Sequence, residues 1–381
     1  MIYLDYQATT PLAPEAREAM LRWLGGPESD GFGNPHSPHR MGRMARAAIE
    51  AAREHVAALL PPGGRVVFTS GATEAINLAI RGTMSRPSES RGLGPDGAPS
   101  PETPAFAGDR RSFVAISAIE HAAVLDTAAA AGAVQVLPVS PDGICEPYQP
   151  LPEETRLVCM MHVNNEIGTV QPVAEWCRKA RDAGALLLCD AVQAYGKLPV
   201  AEADLIAISA HKFHGPKGVG ALWLRDGVEL AKVQTGGGQE FGLRSGTLSP
   251  ALIAGMGAAA QVARERMDAD AEHVEALWAQ ARALFAGWAL NGSPAARWRG
   301  NLNLRREGLD VARLMSDCRQ VMFSAGSACA SGSGRPSHVL KAIGLTDAQA
   351  KSSIRLGFGR YTTAAELEEA ATAINAAAGA Q

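Results

Sequence analysis

The sequence has no Cys-x-x-Cys pair and no His/Cys cluster at zinc-site spacing, although it carries six cysteines. A structural zinc centre and a paired-thiol redox motif are therefore not expected, and no metal ligands are assigned. No apolar run approaches the roughly 20 residues that span a bilayer. The N-terminal Met-Ile-Tyr-Leu-Asp-Tyr lacks the basic and then apolar pattern of a leader peptide. No membrane partner is expected, and a cytoplasmic location follows by default. Basic residues are not in excess: the formal net charge is −3. That removes the electrostatic footprint of a nucleic-acid partner. No internal repeat and no heptad pattern is present.

What remains is a chain of 381 residues, 46% hydrophobic and 20% charged. Such a chain suits two globular domains rather than a disordered or fibrous protein. Its first part alternates short apolar runs with helical periodicity. Val66–Thr69, Phe113–Ser117, Ala133–Val139, Leu157–Met161, Ala185–Cys189 and Asp204–Ser209 read as strands. Helices are expected from near Pro14, from Gly42 to Leu60, from Ala75 to Arg81 and from Ala122 to Ala131. Alternation of this kind predicts a mostly parallel α/β sheet. Pro250 to about Ala289 reads as helical, and the domain boundary is placed within it. The remainder has strand candidates at Asn301–Leu304, Val321–Ser324 and Ile354–Phe358, and helices near Leu309–Asp317 and Thr363–Ala378. Residues 86–110 break the pattern. They are rich in Pro, Gly and Ser and read as a surface insert within one domain.

The stretch Ser209-Ala-His-Lys-Phe-His-Gly-Pro-Lys-Gly-Val-Gly220 follows a strand end. By itself Lys212 reads as a solvated loop lysine. Its neighbours favour a Schiff-base lysine, whose amine is held in a partly dry pocket. Ser209 and His211 could hydrogen-bond a phosphate, and the glycines let backbone approach a ligand. Thr73 lies in a glycine turn between strand and helix, a ready phosphate site or an ordinary helix cap. His121, Asn165 and Asp190 also fall just past predicted strands. Ligands bind at that edge of an open α/β sheet. Asp190 stands out, because a carboxylate ending a buried strand needs a cationic or donor partner. Cys329 lies in a Gly- and Ser-rich stretch, whereas Cys159 and Cys189 lie in apolar runs. A thiol that reacts does so as thiolate, so Cys329 is either incidental or a nucleophile. Arg355 could clamp a carboxylate with its planar fork, or make only a surface ion pair. Arg360 is its rival.

These stretches together resemble a cysteine desulfurase of the class V aminotransferase group of pyridoxal-phosphate enzymes. The resemblance rests on Asp5-Tyr-x-Ala-Thr-Thr-Pro11, Phe32-Gly-Asn-Pro35, Thr69-Ser-Gly-Ala-Thr-Glu74, Glu120-His-x-Ala-Val124 and Met161-His-Val-Asn-Asn-Glu-Ile-Gly168. Asp190-Ala-x-Gln193, Ser209-x-His-Lys212, Arg244-Ser-Gly-Thr247 and Gly326-Ser-Ala-Cys329 complete it. The Gly-Ser-Ala-Cys stretch with its Ser/Gly tail is similar to group I, the iron–sulfur and nitrogen-fixation type. The resemblance implies fold type I, with a large cofactor-binding domain (12–255) whose mixed sheet is mostly parallel and flanked by helices. It implies a smaller α+β domain (1–11 and 256–381) carrying the cysteine. It implies that Lys212 tethers pyridoxal 5'-phosphate, that Asp190 keeps its ring nitrogen protonated, that His121 stacks on the ring and acts in acid/base steps, and that Gln193 bonds its phenolic oxygen. Ala72 would bind the cofactor, and Thr73, Ser209 and His211 would hold its phosphate, with Thr247 arriving from the second subunit of a homodimer. Asn165 would contact both the cofactor and L-cysteine, Asn34 and Arg355 would bind L-cysteine, and Cys329 would take its sulfur as a persulfide. The acceptor implied is an iron–sulfur scaffold or a sulfur-carrier protein. A selenocysteine lyase or another class V aminotransferase shares Lys212 and Asp190, but an aminotransferase has no use for Cys329. A persulfide-relay adaptor has no use for Lys212, Asp190 and His121. Two features depart from the family: the insert at 86–110, and an end at Gln381 where housekeeping members carry a longer tail that docks the scaffold.

Overall fold

The computed structural model describes residues 1–85, 112–326 and 336–381. The insert expected at 86–110 and the Cys329 stretch fall outside the described residues.

Seven strands form the main sheet: β2 (Gly64–Thr69), β3 (Phe113–Ser117), β4 (Ala133–Leu137), β5 (Thr155–Met161), β6 (Leu186–Asp190), β7 (Leu205–Ser209) and β8 (Gly220–Arg225). A short β1 (Ile2–Tyr3) precedes them and pairs elsewhere. Their order is β2-β8-β7-β6-β5-β3-β4, with β8 antiparallel to both neighbours and the other pairs parallel. The sheet is covered on both faces, which explains its unbroken apolar runs. Val66 and Phe68 face one core and Val67 the other; Ile206 and Ile208 face the first, Leu205 and Ala207 the second. This is the period of two expected of a strand.

Helices α1 (Pro14–Leu21), α2 (Arg40–Ala57), α5 (Val173–Asp182) and the first half of α6 (Pro250–Leu284) contribute to the first core. Helices α3 (Ala72–Met84) and α4 (Ala122–Ala131) build the second. Ala45, Ile49, Ala52 and Val56 give α2 its buried stripe. Against it, α6 crosses so closely that a Cβ on Gly257 would lie 2.6 Å from Ala52 Cα. The 35-residue α6 then leaves this core, and its Val274, Leu277, Trp278 and Ala281 enter another one. That core covers a four-stranded antiparallel sheet, β12-β13-β10-β9, made of β9 (Ala289–Leu290), β10 (Asn301–Arg305), β12 (Ser324–Ala325) and β13 (Ser353–Gly357). Helices α7 (Val311–Asp317) and α10 (Ala364–Gly379) complete it, and the shorter α8 (His338–Ala342) and α9 (Asp347–Lys351) lie between β12 and α10.

Four features differ from the sequence reading, the first being that the two-residue strands β1 and β9 were not expected. The run Val321–Ser324, read as one strand, divides: β11 (Val321–Met322) pairs in parallel with β1, and β12 joins the other sheet. Helices α5, α8 and α9 were not expected. Strand β8 was hidden because Gly215, Gly218 and Gly220 make the stretch look like continuous loop. Gly220 is in fact the first residue of a strand that passes beneath the turn after β2. A Cβ there would lie 2.5 Å from Ile208 O and 2.7 Å from Gly71 Cα.

Candidate active site

The carboxyl ends of β2, β3, β5, β6 and β7 open on one edge of the main sheet. A cavity of about 610 Å³ lies there, lined from these ends by Thr73, His121, Asn165, Asp190 and Lys212. Ala72, Gln193, Ser209, His211 and Arg355 line it too. Thr73 and Lys212, 139 positions apart, are thus collected by strand ends, as the parallel order requires, and Arg355 reaches the cavity from the other sheet.

A single 3₁₀ turn, Ala210–Lys212, carries the lysine off β7. Lys212 Nζ donates to Gln7 O at 2.6 Å and to Ala8 O at 2.8 Å. The N-terminal segment Gln7–Thr9 therefore forms a wall of the cavity, which its sequence did not announce. His211 sits against the same segment, its Nδ1 3.2 Å from Thr9 Oγ1. Burial, and then Lys212, push this imidazole down to about 4, so it is neutral at physiological pH.

Asp190 ends β6 and is only 6% exposed. Its Oδ1 accepts from Val192 N at 3.0 Å. Burial raises its carboxyl above the usual range, while His121, the Val192 amide and Lys212 oppose the rise. His121 caps α4, with Nδ1 accepting from Ala123 N at 3.1 Å, which assigns the proton of the neutral ring to Nε2. Gln193 is buried; its Nε2 donates to Gln7 O at 2.9 Å. Helix α3 follows its N-cap Gly71 with no side-chain cap, and Gly71, Ala72 and Thr73 at this N-terminus line the cavity. Lys217, five residues past Lys212, also lines this cavity and is a cation the sequence reading passed over.

Arg355 is 1% exposed and is not the surface ion pair its sequence allowed. Nη2 donates to Asp5 Oδ1 at 2.7 Å and Nη1 to Asn165 O at 3.1 Å. Its rival Arg360 pairs with Asp270 at 2.7 Å away from this cavity. Asn34 and Thr247 are not brought in. Asn34 is exposed and its Oδ1 accepts from His36 N at 2.9 Å; Thr247 is exposed too, and neither lines the cavity. Among the described residues no cluster of His, Cys, Asp and Glu could hold a metal ion. Among the same residues no helix is long and apolar enough to cross a membrane.

Beneath His121 lies Glu120, fully buried, with Oε1 accepting from Ser117 Oγ at 2.7 Å and Met161 N at 2.8 Å. Burial raises it from 4.5 to about 8; Ser117 and Met161 oppose that and Asp190 adds to it. The folded protein thus keeps a proton on Glu120 over a range where the unfolded chain has lost it. Stability from this group is full below 4.5 and is lost as pH rises through about 8. The Glu120→Gln protein, which mimics the protonated acid, is expected to gain on wild type across that range. By pH 8 the gain should reach about 1–3 kcal/mol. Melting temperatures of both proteins between pH 5 and 8.5 check this; a constant difference would show that Glu120 is ionised in the fold.

Comparison with known proteins bears on this cavity. The family described as Aminotransferase class-V matches residues 2–92 and 105–369. A cysteine desulfurase IscS from Anaeromyxobacter sp. (strain Fw109-5) is 42% identical over 386 residues, covering 96% of this chain and 90% of that protein. A cysteine desulfurase IscS from Rickettsia bellii (strain OSU 85-389) is 38% identical over 388 residues, covering 97% and 89%. Among solved structures, a NifS-like protein superposes with a TM-score of 0.86 at 30% identity over the whole of both chains. A structure described as SspA in complex with cysteine gives 0.78 at 32%, covering 95% of this chain and 100% of that one.

Proposed function

The chain belongs to the class-V aminotransferase family and, within it, to the group I cysteine desulfurases, and from this premise we propose how its own residues take sulfur from L-cysteine. The observation that carries the reading is convergence. A partly enclosed lysine amine, a buried carboxyl and a helix-capping imidazole line one cavity that also takes in the uncapped N-terminus of α3.

The donor set fits pyridoxal 5'-phosphate. Lys212 supplies the amine. The Asp190 carboxyl, raised by burial, would find the cationic partner it calls for in a protonated ring nitrogen. The first amides of α3, with Ala72, Thr73, Ser209 and neutral His211, suit the phosphate, and Gln193 suits a phenolic oxygen. Bound there, the group supplies an electron sink for charge left at the substrate α-carbon. Lys212 Nζ, once released, carries a proton to and from the substrate's carbons. His121 Nε2 exchanges the proton of the substrate amine and sulfur. Arg355 and Asn165 hold the substrate carboxylate. Cys329 attacks the substrate sulfur: the carbon–sulfur bond breaks, a sulfur–sulfur bond forms, and the carbon takes a proton to leave as alanine. The persulfide then passes to an iron–sulfur scaffold or a sulfur-carrier protein, in a cytoplasmic setting.

The test is stoichiometry. With L-cysteine and a thiol reductant, alanine and sulfide should form one for one, with no keto-acid acceptor. Turnover that requires a keto acid would make the protein an aminotransferase. Turnover confined to selenocysteine would make it a lyase of that substrate.

Thr247 belongs to the same proposal. Its side chain is exposed and stands outside the cavity of its own chain. We assign it to the phosphate of the partner protomer in a symmetric homodimer. A site completed across an interface links cofactor binding to dimerisation by mass action. Thr247→Ala removes one hydrogen bond to a charged group, worth about 1.5–3 kcal/mol, or roughly 10- to 100-fold in cofactor affinity. The melting temperature of the cofactor-free variant should stay near wild type. Sedimentation and cofactor titration decide the matter, and a monomer that holds its cofactor fully would refute the shared site.

A further inference from the structure

Seven residues after Asp190 lies a second lysine on which none of the chemistry above depends. Residues 191–198 form a helical turn, with Ala191 O accepting from Tyr195 N and Ala194 O from Leu198 N. The turn sets Gln193 and Lys197 four residues apart on one face. Lys197 Nζ donates to Gln193 Oε1 at 3.2 Å. Gln193 Nε2 donates to Gln7 O at 2.9 Å, and that same carbonyl accepts Lys212 Nζ at 2.6 Å. The four residues make one chain of donors and acceptors running from Lys197 to the amine of the site.

An amide side chain has an acceptor end and a donor end of nearly equal shape, so its neighbours decide which end points where. In its charged form, below about pH 7, the Lys197 amine can only donate. With Lys197 on one side and a carbonyl on the other, only one orientation of Gln193 satisfies both. The flipped amide would set N–H against N–H at Lys197 and oxygen against oxygen at Gln7. Each Nε2 carries two N–H groups and one is taken by Gln7, so the second remains for an oxygen in the cavity that Gln193 lines.

We propose that Lys197 is a positioning residue: it fixes the Gln193 amide with its donor end toward the cavity, where the phenolic oxygen of the cofactor would be received. This rests on the desulfurase reading given above. Lys197 is held in surroundings that make it an uncommon choice. A small cavity beside it is lined by His214, Asp270 and Arg360, and the Lys212 charge reaches it. Asp270 is already paired with Arg360. Burial, and then Lys212, bring the Lys197 amine down from 10.5 to about 7. A lysine held at that cost, with an amide oxygen as its hydrogen-bond partner, is explained by what it does to Gln193.

The test is a double-mutant cycle read in cofactor affinity, by titrating pyridoxal 5'-phosphate into cofactor-free protein. Lys197→Met and Gln193→Ala should each raise the dissociation constant about tenfold, the loss of one hydrogen bond. The double variant should be no weaker than Gln193→Ala by more than about threefold, because the lysine acts through the amide. The visible band of bound cofactor should move alike in both single variants, which a merely structural role would not produce. An affinity of Lys197→Met equal to wild type, or single effects that multiply in the double variant, would overturn the inference. Should Lys197→Met fail to fold, Lys197→Gln decides: its amide can accept as well as donate, so it no longer dictates which end of Gln193 faces it. A tenfold loss supports the inference and wild-type affinity overturns it. A wild-type protein that binds no pyridoxal phosphate would instead defeat the underlying reading.

Discussion

The Lys212→Ala protein should fold, show no visible band of covalently held cofactor, and lose turnover by a factor of about 10⁴ or more. The expected loss is large because the proposed function gives one amine two tasks, tethering the cofactor and moving protons at the substrate carbons. The hydrogen bonds to the carbonyls of Gln7 and Ala8 are among those the variant loses, and the fold should survive that loss. Gln7 O keeps its bond from Gln193. A lost hydrogen bond at this site costs about 0.5–1.5 kcal/mol, small for a chain with several packed cores. Lys217 is the internal control. It lines the same cavity but is exposed at its rim. Lys217→Ala should keep the covalent band. Borohydride reduction of the loaded protein, digestion and mass spectrometry locate the modified lysine directly. Label on Lys217, or full activity in Lys212→Ala, would move the centre of the site.

The positions of Thr73, His121, Asn165, Asp190 and Lys212 were legible because each follows an unbroken apolar run, and a parallel sheet turns such runs into one shared edge. The wall contributed by Gln7–Thr9 was not legible. It depends on bonds across more than 200 positions, from Lys212 Nζ to Gln7 O and from Thr10 N to His211 O at 2.9 Å. Nothing in the local pattern of those residues records them. The choice between Arg355 and Arg360 is of the same kind. Both lie in or just after one strand, and only the register of β13 against β10, with Arg355 opposite Asn303, points the first toward the cavity. Strand β8 was lost to composition: glycines that permit close passage under Gly71 look, in sequence, like glycines of a loop. Asn34 and Thr247 came from family resemblance and not from any local signal, and a single chain does not bring either to its own cavity.

The Cys329→Ser protein should bind cofactor and L-cysteine as wild type does and yet release at least 100-fold less sulfide. The step it lacks is attack on the substrate sulfur, and a serine hydroxyl is a far poorer nucleophile toward sulfur than a thiolate. The other cysteines offer no substitute. Cys145, Cys159, Cys177, Cys189 and Cys318 are all buried. Burial pushes the Cys145 thiol up to about 12 and raises the other four as well, furthest for Cys159 and Cys189. A thiol raised in this way holds its proton at neutral pH and reacts as neither nucleophile nor sulfur acceptor. Cys329, in its run of glycine and serine, is the remaining cysteine of the sequence. The measurement is a single turnover with L-cysteine, followed by alkylation under non-reducing conditions and peptide mass analysis. Wild type should carry one added sulfur atom on the peptide containing Cys329, and Cys329→Ser should carry none anywhere. The spectral change that follows cysteine binding should persist in the variant, which separates loss of the nucleophile from loss of the site. Persulfide on one of the five buried cysteines would mean that the fold opens during turnover to expose it, and Cys329 would lose its place as the sulfur acceptor.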